Sequence, residues 1–170
     1  MQLSRRAIAV ICLTLSNSTT AIGGETVTAA ATFGDWSLLT DAKTPHLFCF
    51  VTSEPKGSEP NGASREAPRA YISAWPKDGI KGEVSFRMGF RIKKGTEGTA
   101  TISPAGYKLF GSNDRAYVAN STQELKLLEA MRKGNSLTVA IASDRGTTVT
   151  DTYSLNGVGQ ALQQLQETCF

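Results

Sequence analysis

Arg87, Arg91 and Lys93 alternate with apolar residues along Glu83 to Lys93, and Lys94 follows them. In an extended strand, residues two apart share a face at a spacing of about 6.6 Å. The pattern therefore turns Val84, Phe86, Met88, Phe90 and Ile92 toward a core and sets a basic row toward solvent. Three cationic heads in a row suit lipid phosphates, acidic glycans or an acidic protein patch. The plain alternative is a solvated face paired with Glu83 or with Asp residues of a neighbouring strand. Arg145 lies in the turn Ser143-Asp144-Arg145-Gly146-Thr147. It is either an exposed contact or a salt-bridge partner for Asp144 or Asp151.

Catalytic chemistry finds much less to work with. His46 is the single histidine. A zinc site needs more donors than it offers, and a Ser-His-Asp triad would have to use it without a Gly-x-Ser-x-Gly elbow. A surface or strand-edge histidine is the default, and an envelope hydrolase using His46 is the remaining catalytic reading. Asp144 with Asp151, or Glu83 with Asp78, pair carboxylates in the manner of a general acid and base, but turns are rich in Asp for local hydrogen-bonding reasons. Gly95 and Gly98 flank a turn and open no helix, so they do not cradle a phosphate. The expectation is a non-enzymatic protein with no metal and no cofactor.

The residues around these sites imply export. Arg5 and Arg6 precede the apolar run Ala7 to Leu15, and small polar residues follow, as in a secretory leader. The run is too short to cross a bilayer, which takes about 20 residues. Cleavage after Gly23 is expected, with Ala21 as the neighbouring choice; Cys12 leaves with the leader. Removing 23 of the 170 residues leaves one domain of ordinary size, with 16 basic residues against 15 acidic ones. A net charge so near zero argues against nucleic acid as a partner. No later apolar run is long enough to span a membrane.

Two cysteines remain, Cys49 and Cys169, which allow one intramolecular pairing. In an oxidising compartment that pairing is a disulfide; the alternative is two buried free thiols. Residues 24–32 are small and polar and read as a flexible lead-in to a single domain over 33–170. Short alternating segments follow: Phe33 to Leu39, His46 to Thr52, Arg69 to Trp75, Glu83 to Lys93, Thr99 to Ile102, Tyr107 to Phe110, Leu137 to Ile141 and Thr148 to Leu155. Pro55 to Pro68 has three prolines and few apolar residues and reads as a long mobile loop. One internal helix starts at Ser121, with Glu124 completing a capping box and Leu125, Leu128 and Met131 as its buried stripe. A C-terminal helix buries Val158, Ala161, Leu162 and Leu165, with Cys169 on the same face. Turn signals every 8–12 residues predict a mainly β, antiparallel sandwich or barrel-like domain.

Six segments in order carry a family resemblance: Phe33-Gly34-Asp35-Trp36, Cys49-Phe50-Val51, Arg69 to Pro76, Asn113-Asp114-Arg115-Ala116, Ala130-Met131-Arg132-Lys133-Gly134, and Arg145-Gly146-Thr147 with Asp151-Thr152-Tyr153-Ser154-Leu155. Together they resemble the invasion-associated locus B family of small, exported, mainly β proteins of alphaproteobacteria. The resemblance implies a periplasmic, secreted or cell-surface location and an envelope or macromolecular partner. Its name adds a virulence-associated reading as a host-directed adhesion or invasion factor. It supplies no catalytic residues. Some members carry a further cysteine after the Asp-Trp pair; here Ser37 follows, so a second bridge is not expected. The binding candidates are Arg87, Arg91, Lys93 and Arg145.

Overall fold

The structure, a computed structural model, describes residues 27–41, 47–62 and 65–170. The expected leader, residues 1–23, lies outside the described residues, as does His46. The described residues begin with a hairpin, β1 (Val27–Phe33) and β2 (Trp36–Asp41), joined by Gly34-Asp35. The expected lead-in is thus corrected from Val27 onward: its small residues form an edge strand, because β2 offers them a backbone ladder, interrupted by one register shift between Ala29 and Ala31.

The remaining strands are β3 (Cys49–Ser53), β4 (Gly57–Glu59), β5 (Arg69–Trp75), β6 (Ile80–Arg87), β7 (Glu97–Ile102), β8 (Ala105–Ser112), β9 (Arg115–Val118), β10 (Ser136–Ala142) and β11 (Thr148–Ser154). They form one antiparallel sheet in the order β1-β2-β3-β5-β6-β9-β8-β7-β10-β11-β4. Of the two layouts the alternation allowed, the barrel-like one forms. The β1–β2 turn packs on the end of β11, one strand in from the other edge of the sheet. The Trp36 indole Nε1 donates to the Ser154 carbonyl at 3.0 Å, and the Asp35 amide donates to the Asn156 carbonyl at 3.0 Å. Gly157 adopts φ +88° there, and an added Cβ would fall on the Phe33 carbonyl.

The inner face follows the alternation. Ala70, Ile72 and Ala74 on β5, Val84 and Phe86 on β6, and Leu137, Val139 and Ile141 on β10 are buried. Burying the Val, Ile, Leu and Phe side chains among these contributes about 1.5–3 kcal/mol each. Helix α1 (Ser121–Lys133) joins β9 to β10, and α2 (Val158–Cys169) packs on β1, β2, β3 and β5. The expected face of α2 is the buried one, with Val158, Ala161, Leu162, Leu165 and Cys169 inward. Cys169 is disulfide-bonded to Cys49 with Cα atoms 6.4 Å apart. That link ties α2 to β3 across 120 residues of chain.

Three local expectations are corrected. Asn120, not Ser121, caps α1 through a bond from the Gln123 amide, because Glu124 reaches away to the Val84 amide of β6 at 2.8 Å and leaves no capping box. The helix is consequently rotated from its expected stripe: Leu127 and Met131 are buried, Leu128 is half-buried, and Leu125 is 66% exposed. The Pro55 to Pro68 loop contains β4, which pairs with β11 through Ser58 opposite Asp151. Finally, the strand over Glu83 to Lys93 stops at Arg87. Gly89 turns to φ +73°, and a Cβ there would collide with the carbonyl of Glu66, which crosses at that point.

Candidate functional site

The break at Gly89 dismantles the expected basic row. Arg87 stays on β6 and is ion-paired with Glu66 and, at 3.3 Å, with Asp114. Lys93 is exposed and holds its position through its backbone amide, which donates to the Ala142 carbonyl at 3.2 Å. Arg91 is carried to the end of the barrel, where its carbonyl accepts the Asp144 amide at 2.8 Å. That bond brings Arg91 beside the β10–β11 turn and so beside Arg145. Both line one cleft of about 440 Å³ with Arg65, Phe90 and Asp144. Both guanidinium groups are exposed, and neither is ion-paired among the described residues. Of the four binding candidates, the structure brings two together, Arg91 and Arg145, and separates Arg87 and Lys93 from them.

Beneath this cleft lies a group that the sequence reading missed. Arg65, with a side chain 6% exposed, meets the fully buried Asp151 in a two-pronged ion pair. Ser58 donates to Asp151 at 2.7 Å and accepts from Arg65 at 2.8 Å. Arg65 also donates to the Met88 carbonyl at 2.6 Å and lies over the Phe90 ring at 5.8 Å. The group ties β4 and residues 65–66 to the barrel end as a strap and gives the cleft its floor. A signal for it was present. Val149, Asp151 and Tyr153 alternate on one face of β11, so a carboxylate is aimed into the core and must find a cation. Asp151 therefore pairs with Arg65 and not with Arg145.

The outer face of the sheet carries a second concavity, of about 450 Å³, across β3, β5, β6 and β9. Its polar and aromatic side chains come from alternate positions that the sequence left unassigned. Among the described residues no three His, Cys, Asp or Glu side chains stand close enough to share a metal ion. No helix among them is long and apolar enough to cross a membrane. Two carboxyl groups among the described residues are perturbed. Burial holds the Glu124 carboxyl above the usual carboxylate range, opposed by the bond from the Val84 amide and aided by the charge of Glu83. Hydrogen bonding from Lys56, then from Ser154, holds Asp35 below that range against the cost of its burial.

Residues 90–166 match the family model described as invasion associated locus B (IalB) protein. The match contains the Asn113 to Ala116, Ala130 to Gly134 and Arg145 to Leu155 segments; the three earlier segments lie before it. Among solved structures, the crystal structure of invasion associated protein B from Bartonella henselae shares the fold. Its TM-score is 0.54 at 19% identity, over 79% of this chain and 94% of that one. No curated protein matches the sequence.

Proposed function

We propose that this chain, whose residues 90–166 match the invasion associated locus B family model, is an exported, non-catalytic binding protein of the bacterial envelope. It takes an acidic group of a macromolecular or envelope partner in the Arg91–Arg145 cleft. The observation that carries this reading is that two exposed guanidinium groups from distant parts of the chain, neither ion-paired among the described residues, line one cleft. Arginine presents planar paired donors that match carboxylate and phosphate oxygens. The strap below supports the two from one side, because Arg65, Asp151 and Ser58 are hydrogen-bonded to one another across it. The non-catalytic reading is supported by the place of Asp151, which is fully buried with both oxygens bonded to Arg65 and Ser58 beneath the cleft.

Crosslinking in intact cells tests the binding claim. Arg91→Glu with Arg145→Glu is expected to lose the captured partner, while Lys93→Glu retains it. Equal capture by both variants would sink the cleft as the site. Export is read separately, by fractionation and by the mass of the N-terminus, with cleavage expected after Gly23. Protease shaving of intact cells distinguishes a periplasmic binder from a host-directed surface factor.

A further inference from the structure

The outer concavity is built independently of the cleft, and its chemistry is more particular. Trp75 stacks on Phe48 at 4.1 Å, Phe48 meets Phe50 at 5.3 Å, and Phe50 meets Tyr71 at 5.7 Å. The result is a continuous aromatic wall along β3 and β5. Arg115 closes its end, with its guanidinium 4.8 Å above the Tyr71 ring. Tyr117, stacked on Phe110 at 5.5 Å, forms the opposite wall. The register places Ser85 between Tyr71 and Tyr117, and Ser73 between Phe50 and Glu83. Two strand spacings thus separate the walls, about 10 Å, and small hydroxyl residues make the floor.

Aromatic cross-strand pairs by themselves only stabilise a sheet. The polar groups between them are what point to a ligand. Ser73 and Ser85 are 7% and 3% exposed, yet neither hydroxyl is hydrogen-bonded within the described residues. Glu83 and Arg115 likewise make no ion pair there. A purely apolar occupant would strip water from these four groups and return no hydrogen bonds, which is costly. An occupant with flat C–H faces and a rim of hydroxyls answers both halves: the faces lie against the aromatic wall, and the hydroxyls meet the serines and Glu83. The unpaired Arg115 at one end adds a planar fork suited to a carboxylate.

We infer that the outer trough lined by Trp75, Tyr71, Tyr117, Ser73, Ser85 and Arg115 is a binding site for an oligosaccharide bearing a carboxylate. The rings stack along the Trp75–Tyr71 wall, and the carboxylate docks on Arg115. This site faces away from the barrel interior and does not depend on the Arg91–Arg145 cleft.

The test is a titration of the purified, disulfide-bonded protein with digalacturonate, sialyllactose and a muramic-acid-containing disaccharide. Each is compared with a neutral counterpart such as its methyl ester or lactose. The two tryptophans separate the signal: Trp36 is fully buried, so fluorescence quenching by a sugar reads Trp75. Saturable quenching by at least one carboxylated probe is expected, with weaker binding of its neutral counterpart. Arg115→Gln should weaken binding about ten- to a hundredfold, the scale of a lost charge-assisted hydrogen bond. Ser85→Leu, which fills the floor, should abolish it; Trp75→Phe should remove the quench while calorimetry still detects heat. Arg91→Glu with Arg145→Glu should leave sugar binding unchanged, so failure of the cleft reading and failure of this one are distinguishable. Thermal melts confirm that each variant is folded. Absence of saturable binding to every carboxylated probe up to millimolar concentration overturns the inference. So does equal affinity for the neutral counterparts, or binding indifferent to Arg115→Gln and Trp75→Ala together.

Discussion

The strap at the barrel end and the trough on the outer face use the same residue types to opposite ends. In the strap, Arg65 lies over the Phe90 ring, and its donors go to Asp151, Ser58 and the Met88 carbonyl. In the trough, Arg115 lies over the Tyr71 ring, and Ser85, Ser73 and Glu83 stand nearby without bonding to it or to one another. One set is closed on itself and buried; the other is open to solvent, and its side chains make no hydrogen bond within the described residues. Residue type alone therefore does not separate a structural cluster from a binding surface. What separates them is whether the fold supplies the partners that each polar group requires.

The largest expected effect tests that distinction directly. Asp151→Ala strands the charge of Arg65 in the interior and should cost about 3–5 kcal/mol of unfolding free energy in a denaturant titration. Arg115→Ala removes an equally placed guanidinium from a ring but leaves nothing buried and unpaired, so it should cost at most about 1 kcal/mol. If the two variants lose similar stability, the contrast between closed and open sets is wrong. Arg65→Met combined with Asp151→Leu should recover most of the Asp151→Ala loss, since an apolar pair of matched size commonly replaces a buried ion pair without penalty. Next in size is the covalent tie elsewhere in the fold. Replacing Cys49 and Cys169 by Ala should cost about 2–5 kcal/mol, given the long loop that the bond closes. The Asp151→Ala penalty should persist in that background, because the strap touches neither cysteine.

Much of the scaffold was legible because periodicity reports burial. Arg69–Trp75 came out of the alternation with both ends correct, and the inward face of α2, with Cys169 on it, came from helical spacing. The failures share a cause. A run such as Glu83 to Lys93 alternates perfectly, yet Gly89 interrupts it because a distant segment crosses there, and no local pattern encodes that crossing. The Pro-rich stretch read as a loop for its composition, whereas β4 exists because β11 lends it a ladder. The same long-range event relocates Arg91 and buries Arg65. Two of the four binding candidates were therefore found together, while their buried support was not. The trough was present in the sequence as Tyr71, Ser73 and Trp75 on one face of a strand. Its opposite wall, Tyr117, is a neighbour only through the sheet order.

Tyr153 sharpens the comparison from inside the closed region. Its ring is fully buried beside Phe86, and its hydroxyl has no hydrogen-bond partner. Burial, then the charge of Asp151, pushes its ionisation well above the ordinary tyrosine range, so the group is neutral at any working pH. An unsatisfied buried hydroxyl carries its full desolvation cost. Tyr153→Phe should thus raise stability by about 1 kcal/mol, read as a higher denaturation midpoint at unchanged slope. A loss instead would mean that this hydroxyl is satisfied in solution and that the closed region admits water.

Glu124 stands between the two cases, and its effect should be the smallest. Its carboxylate accepts the Val84 amide at 2.8 Å, but burial outweighs that bond and raises its proton affinity in the folded state. A carboxylate whose folded pKa lies above its unfolded value holds more protons folded than unfolded across the interval between the two. Stability therefore falls as pH rises from the ordinary carboxylate range to the raised value, and the deficit persists at neutral pH. Glu124→Gln keeps an oxygen for the Val84 amide and removes the ionisation. Near pH 4 the variant and the natural protein should be close in stability; toward pH 7 the variant should gain. Because the group is only half-buried, solvent screening limits that gain to less than about 1 kcal/mol. Denaturation midpoints of both proteins across this range measure the difference. If the glutamine variant is instead less stable at neutral pH, the charged oxygen is worth more to the Val84 amide than its burial costs. Glu124 would then belong with the saturated strap, and the line drawn between closed and open polar groups would shift to include the α1–β6 seam.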